Sequence, residues 1–364
     1  MGSFMLKKTF LALSFALSFY VSQLPACTGL LVNAKDGSAV SGRTVEFGTP
    51  LDMSVAIIPR NYTFEAEIPE GKGMAYTSKY AAAGVYCFKN KVLMDGMNEK
   101  GLVAAAFYFP GYAQYAKVTN ENKNHMLSPV EFPNWILSQF GTIEEVKQAL
   151  KSTAIGGTVV QGWGNEPPPM HYIVYDKSGK SIVIEPINGA LVVNDNMIGT
   201  ITNSPNFEWH IKNLVNFINL SPYNAESVNM RGLKLTSFGQ GSGLVGLPGD
   251  FSPPSRFVRA TIFAVNAIPP EKSSGLVNQA FHLLNQFDIP YGSVREQAKE
   301  ETYFDHTLLT SVKDPVTLRY YYKSYDDQMI RYVDLSQFDL NSKKIISLSV
   351  NGSQRELDMT SMLK

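Results

Sequence analysis

Cysteine is nearly absent from this 364-residue chain, which holds only Cys27 and Cys87. Two cysteines make no disulfide framework, and no C-x-x-C redox or zinc pair occurs. The five histidines (His125, His171, His210, His282 and His306) show no ligand spacing, so each reads as structural. There is no H-E-x-x-H helix and no G-x-S-x-G elbow, which removes the common zinc-protease and serine-hydrolase signatures. Net charge is missing too. The 32 basic residues offset 32 acidic ones, and no basic stripe would suit nucleic acid or an anionic membrane surface. Neither a metal nor an organic cofactor is expected, nor a nucleic-acid partner. What the chain does have is apolar bulk: 44% hydrophobic residues, with 21 Phe and 18 Tyr, enough for a large core and an apolar substrate pocket.

The first 26 residues differ in texture from the rest. Lys7 and Lys8 precede an uncharged run from Phe10 to Val21, and Ser22-Gln23-Leu24-Pro25-Ala26 then gives a polar break ending in a small residue. That order predicts a secretory signal, cut after Ala26, in a periplasmic or secreted protein. The apolar run is too short to span a bilayer of about 30 Å, so no stable membrane insertion is expected.

From Cys27 onward the pattern is strand-like. Residues 28–33 and 39–47 flank a Lys35-Asp36-Gly37 turn, and further strands are expected over 51–59, 76–88 and 101–109. Thr142 and Glu145 form a capping-box signature for a helix over 142–151, with another over 133–140. Strands at 170–175 and 181–185 enclose an Asp176-to-Gly179 turn. Helices over 256–267 and 275–287 and strands over 317–322 and 328–334 follow. No repeat or long linker intervenes, which predicts layered sheets flanked by helices in one domain, 27–364. Gly241-Ser-Gly243-Leu-Val-Gly246 fits G-x-G-x-x-G, but Pro248, Pro253 and Pro254 follow where a dinucleotide site needs a helix to begin. It reads as a loop. Cys87, in a run of small apolar residues, reads as a buried hydrophobe.

Cys27 is the residue of interest, because cleavage would make it residue 1. A free α-amino group has a pKa near 8, so it can serve as the base for the thiol on its own residue, without any histidine. The rival reading is a lipid-anchored lipoprotein cysteine, since Leu24-Pro25-Ala26-Cys27 carries the Leu and Ala of such a site. Lipidation would consume the thiol and the amine, leaving a non-catalytic lipoprotein or binding module.

Cys27-Thr28-Gly29-Leu30 with Gly42-Arg43-Thr44-Val45-Glu46 resembles the start of the choloylglycine hydrolase family, which contains conjugated bile salt hydrolases and penicillin V acylases. The likeness continues through Ile58-Pro59-Arg60-Asn61, Asp95 to Leu102 and Thr202 to His210, and is densest from Gly239 to Phe257. The resemblance implies an α+β fold, a four-layer αββα sandwich of antiparallel sheets, and hydrolysis of a non-peptide amide through a thioester on Cys27. It also implies that Arg43 stands beside the thiol and favours thiolate, that Asn203 helps form the oxyanion hole, and that Arg256 is the second active-site arginine. Glu46 replaces an aspartate that orients the α-amino group. Tyr108 replaces an oxyanion-hole asparagine of the bile salt hydrolases and resembles the tyrosine of penicillin V acylases, and Val45 stands where the bile salt enzymes often carry a longer methionine. The expected substrates are small-molecule amides: conjugated bile salts first, penicillin V or N-acyl homoserine lactones as the alternative. A homotetramer built through residues 213–240 is expected by the same resemblance.

Overall fold

The computed structural model describes residues 26–88, 90–298 and 301–363. The expected signal segment, apart from Ala26, lies outside the described residues.

The described residues build two large antiparallel sheets, beside three small two-stranded ones. The first runs in the order Gly29–Asn33, Ala39–Phe47, Glu301–Asp314, Arg319–Ser324, Arg331–Asp334, with Val294–Ala298 paired to the start of the long strand. The second runs Ala190–Asp195, Ser181–Ile187, Met170–Tyr175, Val103–Tyr108, Asp95–Asn98, Ala82–Tyr86, Ser54–Ile58, Ile346–Ser349. Helices Pro253–Asn266 and Ser273–Leu284 cover the first sheet, and Phe132–Gln139 lies on the second. The result is the expected αββα sandwich. No helix among the described residues is long and apolar enough to cross a membrane.

The opening hairpin forms for local reasons. Gly37 takes φ +84°, a conformation open to glycine, and Asp36 Oδ1 accepts from the Ser38 amide at 2.9 Å to close the turn. Alternation along the strand then sorts side chains between layers. Leu30 and Val32 pack with Leu276, Ala280 and Leu284 of the outer helix, while Cys27 and Leu31 join Phe107 and Ile173 between the sheets. Gly29 is required there, since a Cβ would stand 2.8 Å from both Ile201 and Phe107.

Most expected elements are present, with instructive differences. The expected strand 76–88 is broken into Gly71–Thr77 and Ala82–Tyr86, because residues 78–81 turn the chain from a separate hairpin into the second sheet. The helix expected at 256 begins at Pro253, with Ser252 as its cap residue and prolines in its first turn, where a missing N–H is harmless. At Thr142 the hydroxyl accepts from Glu145 N at 3.2 Å, but the Glu145 carboxylate turns to Gly141 N (2.7 Å) rather than to the cap residue itself. The glycine loop at 241–246 carries only a short 3-10 turn, Ser242–Leu244.

Candidate active site

Hairpin register brings the first two site residues together. Gly29 pairs with Arg43, and the ladder continues outward as Thr44 N donates to Thr28 O (2.9 Å) and Glu46 N to Ala26 O (3.0 Å). Period-two alternation then puts Arg43 on the inter-sheet face and Glu46 on the helix face. Arg43 stacks over the Phe107 ring at 4.0 Å and donates to the carbonyls of Ala106 and Thr44. Arg256 approaches from the opposite side, from the outer helix. Its guanidinium donates to Cys27 O, to Thr28 Oγ1 (2.9 Å) and to Asn203 Oδ1 (2.7 Å), while its Nε donates to Phe251 O (2.8 Å). Two cations therefore flank Cys27 across one sheet.

Asn203 lies just after Ile201, which is bridged to Gly29 by paired backbone hydrogen bonds. Its Oδ1 accepts from Cys27 N at 2.8 Å and from Arg256, which orients the amide. Its Nδ2 donates to Tyr108 O at 2.8 Å. Two buried histidines hold this loop by its carbonyls: His171 Nε2 lies 3.0 Å from Thr202 O, and His210 Nε2 lies 2.9 Å from Asn203 O. Neither histidine was singled out from sequence, where nothing distinguished them from core histidines.

Glu46 is fully buried. Thr307 donates to its Oε1 at 3.2 Å, and Oε2 has no partner among the described residues. Burial pushes its carboxyl up to about 8, against the pull of Arg256, Thr44 and Arg43. Burial also raises the Cys27 thiol above its ordinary value, outweighing the lowering by Arg43. The Arg43 charge does pull the thiol down, but in this structure, where Cys27 is only 5% exposed, burial outweighs it. Tyr108 is pushed up to about 12 by burial and by Glu296, which keeps its phenol a neutral donor.

Beneath Arg43 lies a polar cluster that sequence reasoning missed. Asp95 pairs with Lys313 at 2.6 Å and accepts from Ser311 (2.8 Å) and Tyr320 (2.6 Å). Burial opposes ionisation of Asp95, yet Lys313 and Arg43 hold its carboxyl below the usual range. Asp95 was visible only as part of a sequence block, and Lys313 gave no signal.

Two cavities border these residues, and Cys27 lines the first of them. One, a narrow cleft, lies between the sheets and is bordered by Cys27, Arg43, Glu46 and Tyr108 among largely apolar side chains. The other, of about 620 Å³, is bordered by Ala26, Asn203 and Arg256 on the helix side. Of the six residues expected at the site, Cys27, Arg43, Glu46 and Tyr108 border the first cavity and Asn203 and Arg256 the second. Hydrogen bonds from Cys27 N to Asn203 and from Arg256 to Cys27 O join the two groups.

Two packed antiparallel sheets, helices outside them and a cysteine leading the first strand are the features of the N-terminal-nucleophile hydrolase fold. The chain belongs to the choloylglycine hydrolase family of linear amide C–N hydrolases, whose profile matches residues 27–348. It is an amidohydrolase of linear amides. It is 35% identical over 329 residues to a bile salt hydrolase/transferase of Clostridium perfringens, covering 89% of this chain and 97% of that one. It is 25% identical over 341 residues to the penicillin V acylase of Pectobacterium atrosepticum, covering 88% and 81%. A solved structure of a mutant conjugated bile acid hydrolase from Clostridium perfringens superposes with a TM-score of 0.80 at 33% identity, covering 92% of this chain and all of that one.

Proposed function

We propose that Cys27 is the nucleophile of a conjugated bile salt hydrolase, made active when residues 1–26 are removed. The observation that carries this reading is the position of the Cys27 nitrogen, 2.8 Å from Asn203 Oδ1. Here it is a peptide nitrogen. After cleavage it stands for the α-amino group, held by Asn203 and served by the free oxygen of Glu46. The amine takes the thiol proton, sulfur attacks the amide carbonyl, and the oxyanion receives hydrogen bonds from the second Asn203 N–H and from neighbouring donors. The C–N bond breaks as the amine returns the proton to the leaving nitrogen, and water then hydrolyses the thioester. Arg43 favours thiolate once Ala26 no longer covers it. The apolar lining of the inter-sheet cavity suits an apolar acyl group, and 35% identity to a bile salt hydrolase/transferase supports a steroid acid there.

A second reading, penicillin V acylase or N-acyl homoserine lactone acylase, is favoured by Tyr108 at the cavity wall and by the Pectobacterium relative. Parallel assays on taurocholate-type conjugates, penicillin V and a long-chain homoserine lactone test both, and faster turnover of either rival would displace bile salts. The proposal includes export to the periplasm or medium and a homotetramer. Intact mass of the exported protein checks its start: a free Cys27 terminus is expected, whereas a diacylglyceryl adduct would identify the non-catalytic lipoprotein.

A further inference from the structure

Along the wall of the inter-sheet cavity runs a series of aromatic rings. Tyr108 meets Phe47 at 6.4 Å, Phe47 meets Trp163 at 5.7 Å, and Trp163 meets Phe88 at 5.6 Å, each pair close to perpendicular. Trp163 borders the same cavity as the Cys27 thiol. Its indole Nε1 is buried and has no hydrogen-bond partner among the described residues. Indole nitrogen can only donate, and a buried Trp N–H ordinarily finds an acceptor. The rings packed against it, Phe47 and Phe88, have no oxygen to offer.

The position is built rather than incidental. Trp163 N closes a turn onto Val160 O at 3.0 Å, and Gly162 takes φ +94° with its Cα so close to Phe88 that a Cβ would stand 2.7 Å from the ring. Arg43, the other side chain with nitrogen donors in this wall, spends Nε on the Thr44 carbonyl and Nη1 on that of Ala106. The cavity thus joins a largely apolar surface to a stranded indole donor, separated from Tyr108 by the Phe47 ring.

We infer that the acyl group accepted by this cavity carries an acceptor oxygen (ether, hydroxyl or keto) that receives the Trp163 N–H. Trp163 then selects oxygenated acyl groups over all-carbon ones of the same shape, because a CH2 at that place leaves the donor unpaired. The inference rests on the reading that the acyl group of an amide substrate occupies this cavity.

A matched pair tests it: the p-nitroanilides of phenoxyacetic acid and 3-phenylpropanoic acid, which differ by O against CH2. Their ratio of kcat/KM in the wild type includes the intrinsic reactivity of the ether-bearing amide, so the decisive quantity is its change on Trp163→Phe. That variant keeps an aromatic ring and removes the donor. The ratio is expected to fall about tenfold, through a larger loss of rate on the phenoxyacetyl substrate than on its all-carbon partner, and an unchanged ratio overturns the inference. Binding is read separately in the Cys27→Ala protein, by the indole ¹⁵N–H resonance of Trp163 on titration with phenoxyacetamide and 3-phenylpropanamide. A downfield shift with the first and none with the second supports the role even if Trp163→Phe fails to fold. Equal shifts, or none with either, sink it. Absence of anilide hydrolysis with a selective shift would count against the nucleophile assignment while leaving the donor in place.

Discussion

Cys27 depends on neighbours that arrive from three directions: Arg43 from between the sheets, Arg256 from the helix layer, and Asn203 from the loop after Ile201. Cys27→Ser is expected to abolish amide hydrolysis while thermal unfolding stays cooperative, and retained turnover would refute the nucleophile. Asn203→Ala is expected to lower kcat about 10²- to 10³-fold, with less change in KM, in steady-state assays. Glu46 gives a pH prediction for the chain that still holds Ala26. Its folded pKa of about 8 lies above the ordinary 4.5, so its stabilising contribution is full below 4.5 and lost as pH rises through about 8. Melting temperature should therefore fall across that window, and Glu46→Gln should flatten the fall. A wild-type curve no steeper than the variant's would contradict the buried neutral carboxyl. Cys27, Arg43, Asn203 and Arg256 were legible because their motifs stand in family order along the chain. Asp95 with Lys313, and the unpaired donor of Trp163, were not, because burial and pairing across 218 positions have no local signature.

At the scale of elements, the opening hairpin could be read from its turn residues and alternation. The break between Gly71–Thr77 and Ala82–Tyr86 could not, since small apolar residues suit a strand on either side of it. The close pairing of Gly84 with Gly96 is a second fact hidden from sequence. A Cβ at Gly84 would stand 2.2 Å from the Asp95 carbonyl oxygen and 2.7 Å from Gly96 Cα. Both obstacles are backbone, so the two strands must separate to admit it. Gly84→Ala is expected to destabilise the protein by about 3 kcal/mol in urea unfolding, and to impair activity by displacing Asp95 beneath Arg43. A shift under about 0.5 kcal/mol, the range of ordinary surface changes, would show that the sheet yields there.

Across the whole molecule, the layer order follows from alternation: each strand of the opening hairpin has one apolar face for the helices and one for the second sheet. The expected assembly region is different in kind. Its hairpin, Val228–Met230 with Leu233–Leu235, leaves Val228, Met230 and Leu233 exposed, and Ile218, Tyr223 and Phe238 nearby are exposed too. Exposed apolar surface of this sort is what an interface between copies would cover, and it supports the proposed homotetramer. On the proposed homotetramer, light scattering should give four chains per particle. Val228→Asp with Phe238→Asp should give smaller species that stay folded, and a monomeric wild type would dismiss the tetramer.

Ala26, tucked against Glu46 and buried with the thiol, has a practical consequence for anyone who purifies the protein. On the proposed maturation, an affinity tag fused upstream departs with the segment it labels, so a resin that captures the tag collects dormant molecules and lets working ones pass. The proportion of tagged chains would then gauge the unactivated stock, falling as specific activity climbs. Residues 351–363 are exposed throughout, and a handle placed after them would recover both populations alike.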